Sequence, residues 1–492
     1  MIQHLPILQV IIPLLAAPIC FILREAKLVR WFVLLANIMA FVVSIMLLQQ
    51  VNVHGTLVYT LGGWEAPIGI EYRIDELNAY LLILVTSIST VTLMAAGSSL
   101  NKEMKESKQT YFYIAYMLCL TGLLGILATG DAFNVFVFLE ISSLASYTMI
   151  AMGNDRRSLW ASYQYLIMGT IGATFILIGI GLMYMMTGTL NMHDLAERLV
   201  EVEQTKTVFT AFAFFLVGVC LKLALFPLHL WLPNAYAYAP SIATVFLAAT
   251  ATKVAIYILL RFIFSVYGFE FSFSHLPLTE ILVSLGLVGI IAASIVAIYQ
   301  TNVKRLFAYS SVSQIGYMIL GLGIGNKTGL TATLLHLFNH ALMKSAIFLA
   351  LAGVVYRIGN VNIKNFAGLG RQMPWTMAAI VIGGLSLIGV PLTVGFVSKW
   401  YLVLALLENG WWPIAVLVLV GSLLAIAYIW RIVEVAYFKA PLQNNQSHKE
   451  APPAILIPAW IFVIANFYFG IDTSFTAGLS ERTAELLFGV VK

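Results

Sequence analysis

Seven ionisable side chains in this sequence lie inside stretches apolar enough to sit in a membrane: Glu140, Lys222, Lys253, His336, His340, Lys344 and Lys399. A charge at the centre of hydrocarbon costs about 3 kcal/mol on insertion scales. None of the seven is near enough to the end of its stretch to reach the interface easily. One such group alone has a structural explanation: a buried Lys–Glu pair can lock two helices, and a single His can be a hydrogen-bonded core residue. Seven, spread over several stretches, point to proton transfer, in which each carrier must reach the next directly or through water. The residue types suit that chemistry. A lysine releases its proton more readily where burial disfavours its charge, and a nearby carboxylate reverses the preference. One Glu among excess lysines can therefore switch a lysine between holding and releasing a proton. Histidine titrates near neutrality with little tuning. In "LLHLFNHALMKSAIFLALAG", His336, His340 and Lys344 fall at i, i+4 and i+8. On a helix they drift by only ~40° per step and form one polar stripe.

These groups need helices to hold them. The chain has 492 residues, 61% hydrophobic and 10% charged, with a mean hydropathy of +0.92. Soluble domains carry about 25% charged residues, so this chain has too little charge to cover a water-facing surface. The composition predicts an all-α polytopic membrane protein. Residues 1–23 lack a basic leading segment, and "LPILQVIIPLLAAPICFIL" is long enough to span, so the start reads as a first span and not as a cleaved signal. Hydropathy predicts fourteen spans, at 5–23, 28–49, 77–99, 111–129, 133–152, 160–187, 208–231, 240–266, 277–300, 304–325, 329–356, 374–406, 411–438 and 452–474. Alternation and a Gly-Gly pair in "VNVHGTLVYTLGGWEAPIGIEYRID" predict a small surface β-hairpin between the second and third.

The basic residues test the alternation. Connections from odd to even spans carry Arg24, Lys27, Arg30, Lys102, Lys105, Lys108, Arg156, Arg157, Lys304, Arg305, Arg357, Lys364, Arg371, Lys439 and Lys449. The other side carries only Arg73, Arg198, Lys206, Lys327, Arg482 and Lys492. The positive-inside rule then places the richer loops in the cytoplasm and both termini outside, in a bacterial cell membrane. This topology explains the net charge of +5 without a nucleic-acid partner.

Helix breakers stand beside two of the buried lysines. Pro227 follows Lys222 by five residues, and Pro391 precedes Lys399 by eight. Proline frees backbone carbonyls inside a span, which is tolerated where they line a cavity. An ordinary kink is the alternative at either site. The two interrupted spans are the seventh and twelfth, and their separation reverses orientation. That is the arithmetic of inverted repeats, which gives N-terminal spans and hairpin at 1–110, a first repeat at 111–266, a second at 277–438, and a last span with tail at 452–492. Cys20, Cys119 and Cys220 sit in apolar runs without ligand spacing and read as small buried hydrophobes. No metal, haem or nucleotide motif is present, and no cofactor is expected.

The segments "GVCLKLALFPLHLWLPNAYAYAPS", "TNVKRLFAYSSVSQIGYM", "HLFNHALMKSAIFLALAG" and "GVPLTVGFVSKW" closely resemble the hallmark segments of the antiporter-like membrane subunits. That superfamily is shared by respiratory complex I and the Mrp-type multisubunit Na+/H+ antiporters. The resemblance covers nearly the whole chain. It implies fourteen helices with two inverted five-helix repeats, broken seventh and twelfth helices, and a hydrated polar axis at mid-membrane. By motif it assigns Glu140 as the fifth-helix glutamate, Lys222 as the seventh-helix lysine and Lys253 as the bridging lysine of the eighth. It assigns His336, His340 and Lys344 as the eleventh-helix stripe and Lys399 as the twelfth-helix lysine. Asn234 stands where many relatives have Asp, and Gln314 where many have His; the second weakens a relay through the tenth span. Length, Lys399 and "DAFNVFVFLEISSLASYTMIAMG" look most like the D-type Mrp subunits; an N-type or M-type complex I subunit is the nearest alternative. The resemblance thus implies partner subunits in a hetero-oligomeric complex, membrane lipid around it, and H+ with Na+ as the transported ions. A scaffold that kept the fold without transport is a third reading, which the seven retained groups oppose. Glu140 and Asp131 are too few acids for a dehydrated Na+ site.

Overall fold

The computed structural model describes residues 2–441 and 448–489. Its N-terminal group is α1 (Leu5–Leu23), α2 (Ala26–His54) and α3 (Glu76–Glu103). Between the last two lies the expected hairpin, β1 (Leu57–Thr60) antiparallel to β2 (Glu71–Ile74), with Leu57 opposite Ile74. Next come α4 (Glu106–Ala128), α5 (Ala132–Ala151), α6 (Arg157–Thr187) and the short amphipathic α7 (Met192–Val202). Then follow α8 (Lys206–Leu223), α9 (Trp231–Tyr238) and α10 (Ser241–Leu260), which a π-helical turn extends to Val266. After the short α11 (Phe269–Ser274) come α12 (Leu278–Ile298), α13 (Val303–Gly323) and α14 (Lys327–Ile358). The chain continues through α15 (Leu369–Gln372), α16 (Pro374–Ile388), α17 (Val394–Glu408) and α18 (Trp412–Val433). It closes with α19 (Pro453–Ile471) and α20 (Ser474–Leu487).

Twelve helices among the described residues are long and apolar enough to cross a membrane. The tenth and twelfth expected spans are not among them. The tenth is α13, which devotes several positions to Ser, Gln, Lys and Arg. The twelfth is divided into α16 and α17, each 15 residues long. The seventh is divided as well, into α8 and α9. Its expected end at 231 falls short of the second half, because hydropathy cannot see that the helix resumes at Trp231 and runs to Tyr238.

Short polar side chains set the helix starts. Asp75, Asp131, Asn191, Asn302 and Asn326 each accept a backbone N–H of the first turn they precede. Such caps satisfy donors that would otherwise be orphaned at a helix end. One backbone device occurs twice. Asp131 bridges to Asn191, with Ala132 N–H donating to Leu190 O and Met192 N–H to Gly130 O, both at 2.8 Å. Asn302 bridges to Asn362, with Val303 N–H donating to Val361 O and Ile363 N–H to Thr301 O, again at 2.8 Å. In each case the second strand follows a long helix ended by a left-handed glycine, Gly188 (φ +73°) or Gly359 (φ +72°).

Burial runs from centre to rim. In the apolar window of α10 and its extension 94% of residues are buried, against 33% for α18 and for α19. α10 packs against α3, α14 and α8, so it lies in the middle of the bundle. Large exposed side chains such as Leu35, Trp160, Ile171, Leu423 and Ile464 cover the rim. Small residues bring the densest pair together. A Cβ added to Gly316 would lie 2.6 Å from Gly286 O, and one on Gly286 2.8 Å from Gly316 O. Both obstacles are backbone, so α12 and α13 would have to separate. Gly316→Ala is expected to destabilise by about 1–3 kcal/mol. Gly181→Ala on α6, which meets nothing within 4 Å, should gain up to about 1 kcal/mol from helix propensity. Thermal unfolding in detergent checks this: midpoints moving in the same direction would contradict the packing described.

Candidate functional site

The interruption of α8 positions the first pair. Ala224 turns left-handed (φ +60°), and its N–H returns to Cys220 and Leu221 carbonyls. Lys222 thus sits in the last turn of a half-helix, at the negative end of its dipole. Its Nζ donates to Ser143 Oγ at 2.9 Å and to Glu140 Oε1 at 3.3 Å, both on α5. Lys222 is buried, whereas Glu140 keeps 26% of its side-chain surface exposed. At membrane depth that exposure faces lipid or a neighbouring chain. The carbonyl of Leu221 also accepts from Trp231 Nε1 of α9 at 3.0 Å, and the indole stacks on Tyr165 with centroids 3.8 Å apart.

The second interruption repeats the geometry with different chemistry. Gly389 turns left-handed (φ +95°), and its N–H returns to Leu385 and Ser386 carbonyls. Lys399, on the second half-helix α17, reaches back over the break. Its Nζ donates to Leu387 O at 2.8 Å, Ile388 O at 2.9 Å and Ser422 Oγ at 3.0 Å, and lies 4.6 Å from the Tyr317 ring centroid. A cation here satisfies orphaned carbonyls and the helix dipole together.

Between the breaks runs α14. His336 Nδ1 lies 2.8 Å from Ser398 Oγ, and Nε2 lies 2.9 Å from Gln314 Oε1. Gln314, expected to weaken a relay through its helix, is thus a direct partner of the stripe. His340 stacks near His336 with centroids 6.2 Å apart. Neither of its ring nitrogens has a hydrogen-bond partner among the described residues. Lys344 Nζ donates to Phe307 O at 2.8 Å and Ser310 Oγ at 2.5 Å on α13. Lys253 Nζ donates to Ala248 O at 2.6 Å within α10.

Of the seven expected residues, then, Glu140 and Lys222 touch directly. Lys399 and His336 are linked through neighbouring Ser398. The others are gathered on α10 and α14, which pack together, without direct hydrogen bonds between them. Asn234 donates to Gln164 Oε1 at 2.7 Å, and Asn339 to Val394 O at 2.7 Å, where it holds the start of α17. Asp131 caps α5, its Oδ1 accepting the Asn134 N–H at 2.7 Å. Among the described residues no cluster of three or more His, Cys, Asp or Glu side chains could hold a metal.

Sequence reasoning missed the ends of α10. On the hairpin side, Arg261 forms a two-pronged pair with Asp75, at 2.7 and 2.9 Å, and donates to Asn78 Oδ1 at 2.9 Å. Burial alone would raise the Asp75 carboxyl; the Arg261 guanidinium and the N–H groups of Asn78 and Leu77 outweigh it and hold the group below its ordinary value. On the opposite side, Glu103 accepts from Ser241 N–H at 2.8 Å and Ser241 Oγ at 3.0 Å, and buried Lys304 donates to the same hydroxyl at 3.0 Å. Carboxylates at the two ends of α3 therefore latch the two ends of the helix that carries Lys253. The available signal was spacing: Arg261 follows Lys253 by two steps of four.

The family described as NADH:quinone oxidoreductase/Mrp antiporter, TM, matches residues 129–425. The chain is 42% identical over 457 residues to the N-type subunit of the NADH-quinone oxidoreductase of Desulforudis audaxviator, covering 92% of this chain and 90% of that protein. It is 32% identical to the D-type subunit of the Na(+)/H(+) antiporter of Alkalihalophilus pseudofirmus, covering 91% and 89%. A chain in the Mrp complex from Dietzia sp. DQ12-45-1b has the same fold, with a TM-score of 0.91 at 22% identity over 100% of this chain and 98% of that one.

The Glu140–Lys222 contact predicts a coupling. In a thermal double-mutant cycle, Glu140→Gln and Lys222→Met should each destabilise, and the double variant should recover about 0.5–3 kcal/mol relative to their sum. Strict additivity would mean that the two side chains do not interact in the folded protein.

Proposed function

The chain belongs to the NADH:quinone oxidoreductase/Mrp antiporter transmembrane family, and from that premise we propose that it is the proton-translocating, antiporter-like subunit of a multisubunit monovalent-cation (Na+)/H+ antiporter. Its role is transport and not covalent catalysis. The observation that carries the reading is the placement of buried lysines at both helix interruptions, one of them against Glu140. Protons pass among Glu140, Lys222, Lys253, His336, His340, Lys344 and Lys399. The unpartnered ring of His340 calls for water to complete that path, since a buried polar atom without a partner costs about 1–3 kcal/mol. Segments 111–266 and 277–438 act as inverted repeats, each with one interrupted helix. The basic loops face the cytoplasm, with both termini outside. Na+ is carried elsewhere in the complex, because Glu140 is engaged by Lys222 and Asp131 by its capping role. Partner subunits cover the side of α5 on which Glu140 is exposed.

A second reading is a proton-pumping subunit of a redox-driven complex, of the N or M type. The 42% identity to an N-type subunit favours it. The relay is common to both readings; the partners differ. Mass spectrometry of the native complex decides between them. Antiporter subunits without redox proteins are expected, and co-purifying redox subunits would overturn antiport in favour of the second reading.

Lys399 tests the relay in either case. Arginine keeps the charge but stays protonated. A carrier role predicts that Lys399→Ala and Lys399→Arg both lower ΔpH formation in everted vesicles by about a hundredfold or more, with assembly intact on native gels. Wild-type rates with Arg would make Lys399 a fixed charge capping α16, and the path would not run through it.

A further inference from the structure

Two tight turns meet at one corner of the bundle. α1 passes to α2 through Arg24 and Glu25, and α3 passes to α4 through Met104 and Lys105. Thr110 Oγ1 donates to Arg24 O at 3.0 Å and joins the two turns. Two clefts open there, of about 280 and 510 Å³, and Ala26 and Glu106 line both. Arg24 and Glu25 line the larger, and Lys27 and Arg30 the smaller. None of these five charged residues forms an ion pair among the described residues. With Lys102, Lys105 and Lys108 on the second turn, the corner sets six basic residues against Glu25, Glu103 and Glu106, and it is net positive.

Arg30 is seated and not merely exposed. A Cβ on Gly97 of α3 would fall 2.0 Å from Arg30 Nη1 and 2.1 Å from its Cζ, so the guanidinium fills the notch that the glycine leaves. It lies 5.2 Å from the Trp31 ring centroid. The buried Tyr113 hydroxyl, close enough to feel its charge, has no hydrogen-bond partner among the described residues. Orientation by basic loops asks only for charge and not for a seat. Around the clefts Phe21, Ile22, Leu28, Trp31 and Tyr111 are exposed.

We propose that this corner holds an anionic phospholipid of the adjoining leaflet, with its phosphate on Arg30 and Lys27 and its acyl chains along Phe21, Ile22, Leu28 and Trp31. A guanidinium fork matches two oxygens of a phosphate diester. Glu25 and Glu106 suit a headgroup that also donates, as the hydroxyls of a glycerol headgroup do. A choline headgroup has no such donor. An ethanolamine headgroup has one, but its ammonium cancels the charge that the basic corner favours. A free phosphate would gain nothing from the exposed apolar side chains, whereas a lipid covers them; basic pockets between spanning helices hold lipid headgroups in this way. The site serves the chain whether its complex is driven by a cation gradient or by redox chemistry.

Native mass spectrometry of the complex, extracted from its own membrane, reads the site. The wild type should retain phosphatidylglycerol, and Arg30→Gln should retain about tenfold less with all subunits present. Gly97→Ala should lose the lipid too, because the new Cβ displaces a flexible guanidinium while leaving the charge in the chain. Lys364→Gln removes an exposed charge from another of the basic connections and should retain the lipid as the wild type does. Unchanged retention in Arg30→Gln or in Gly97→Ala would overturn the seated site. An equal loss in Lys364→Gln would reduce it to general surface charge. Loss of a partner subunit from the Arg30 and Gly97 variants, with lipid retained, would overturn it in favour of a protein contact. Thermal unfolding of the delipidated complex separates the ligands: added phosphatidylglycerol should raise the wild-type midpoint more than phosphatidylethanolamine, phosphatidylcholine or inorganic phosphate. An equal shift with either zwitterionic lipid would overturn the anionic assignment, and an equal shift with inorganic phosphate would overturn the lipid.

Discussion

Hydrocarbon supplies no hydrogen bonds, so every backbone carbonyl released inside the bundle must find a donor within the protein. Both helix interruptions release such carbonyls, and the structure answers each from the half-helix beyond the break. Trp231 donates to Leu221 O at the first, and Lys399 to Leu387 O and Ile388 O at the second. The neutral indole closes the first break without a charge, leaving Lys222 free to face α5. At the second break the donor is itself the buried cation. The cost of opening a helix and the cost of burying a lysine thus offset one another at Lys399.

The same constraint orders the rest of the bundle. α10 carries a lysine whose hydrogen-bond partners among the described residues are its own helix's Ala248 O and Thr252 Oγ, which would be a poor arrangement in a helix free to shift. It is held instead at both ends by α3, through Asp75–Arg261 on one side and Glu103–Ser241 on the other. The latches place charge where caps and solvent already help to solvate it, and they keep the middle of α10 in register with α14. Buried ion pairs contribute little net stability but strongly disfavour alternatives that would break them. Fixing the position of Lys253 is the role this geometry gives them.

Much of this was legible from residue types. The hairpin followed from alternation and the Gly-Gly pair, the prolines marked the two interruptions, and the excess of buried lysine over acid pointed to a pairing of Glu140 with a lysine without selecting Lys222. Other features were not legible, for physical reasons. Hydropathy averages over a window, so it merged α8 with its break and could not see α9. Lys304 and Arg261 lie near span ends, where a charge normally reaches water. Only tertiary packing shows that Lys304 is 3% exposed and that Arg261 turns inward to Asp75. Gln314 read as the loss of a titratable group; its carboxamide, 2.9 Å from His336, instead holds the imidazole in place. Asn339 likewise sits beside the stripe in sequence yet serves the backbone of α17.

The two breaks also differ in a way that bears on direction. Aligning the repeated bridges sets Asn302 against Asp131, and nine residues further on Ser311 then stands against Glu140. The acid therefore has no counterpart in the second half. Lys222 has a full counter-charge within 3.3 Å, whereas Lys399 has carbonyls, a hydroxyl and the Tyr317 ring. Carbonyl dipoles solvate an ammonium but respond little when it moves; a carboxylate on a neighbouring helix can swing away or be neutralised. Glu140 is also the most exposed of the seven ionisable groups at membrane depth, with 26% of its side chain exposed. A change imposed from that side would therefore reach Lys222 first, through the 3.3 Å contact. Of the two breaks, the first is the one whose lysine a movable carboxylate can control.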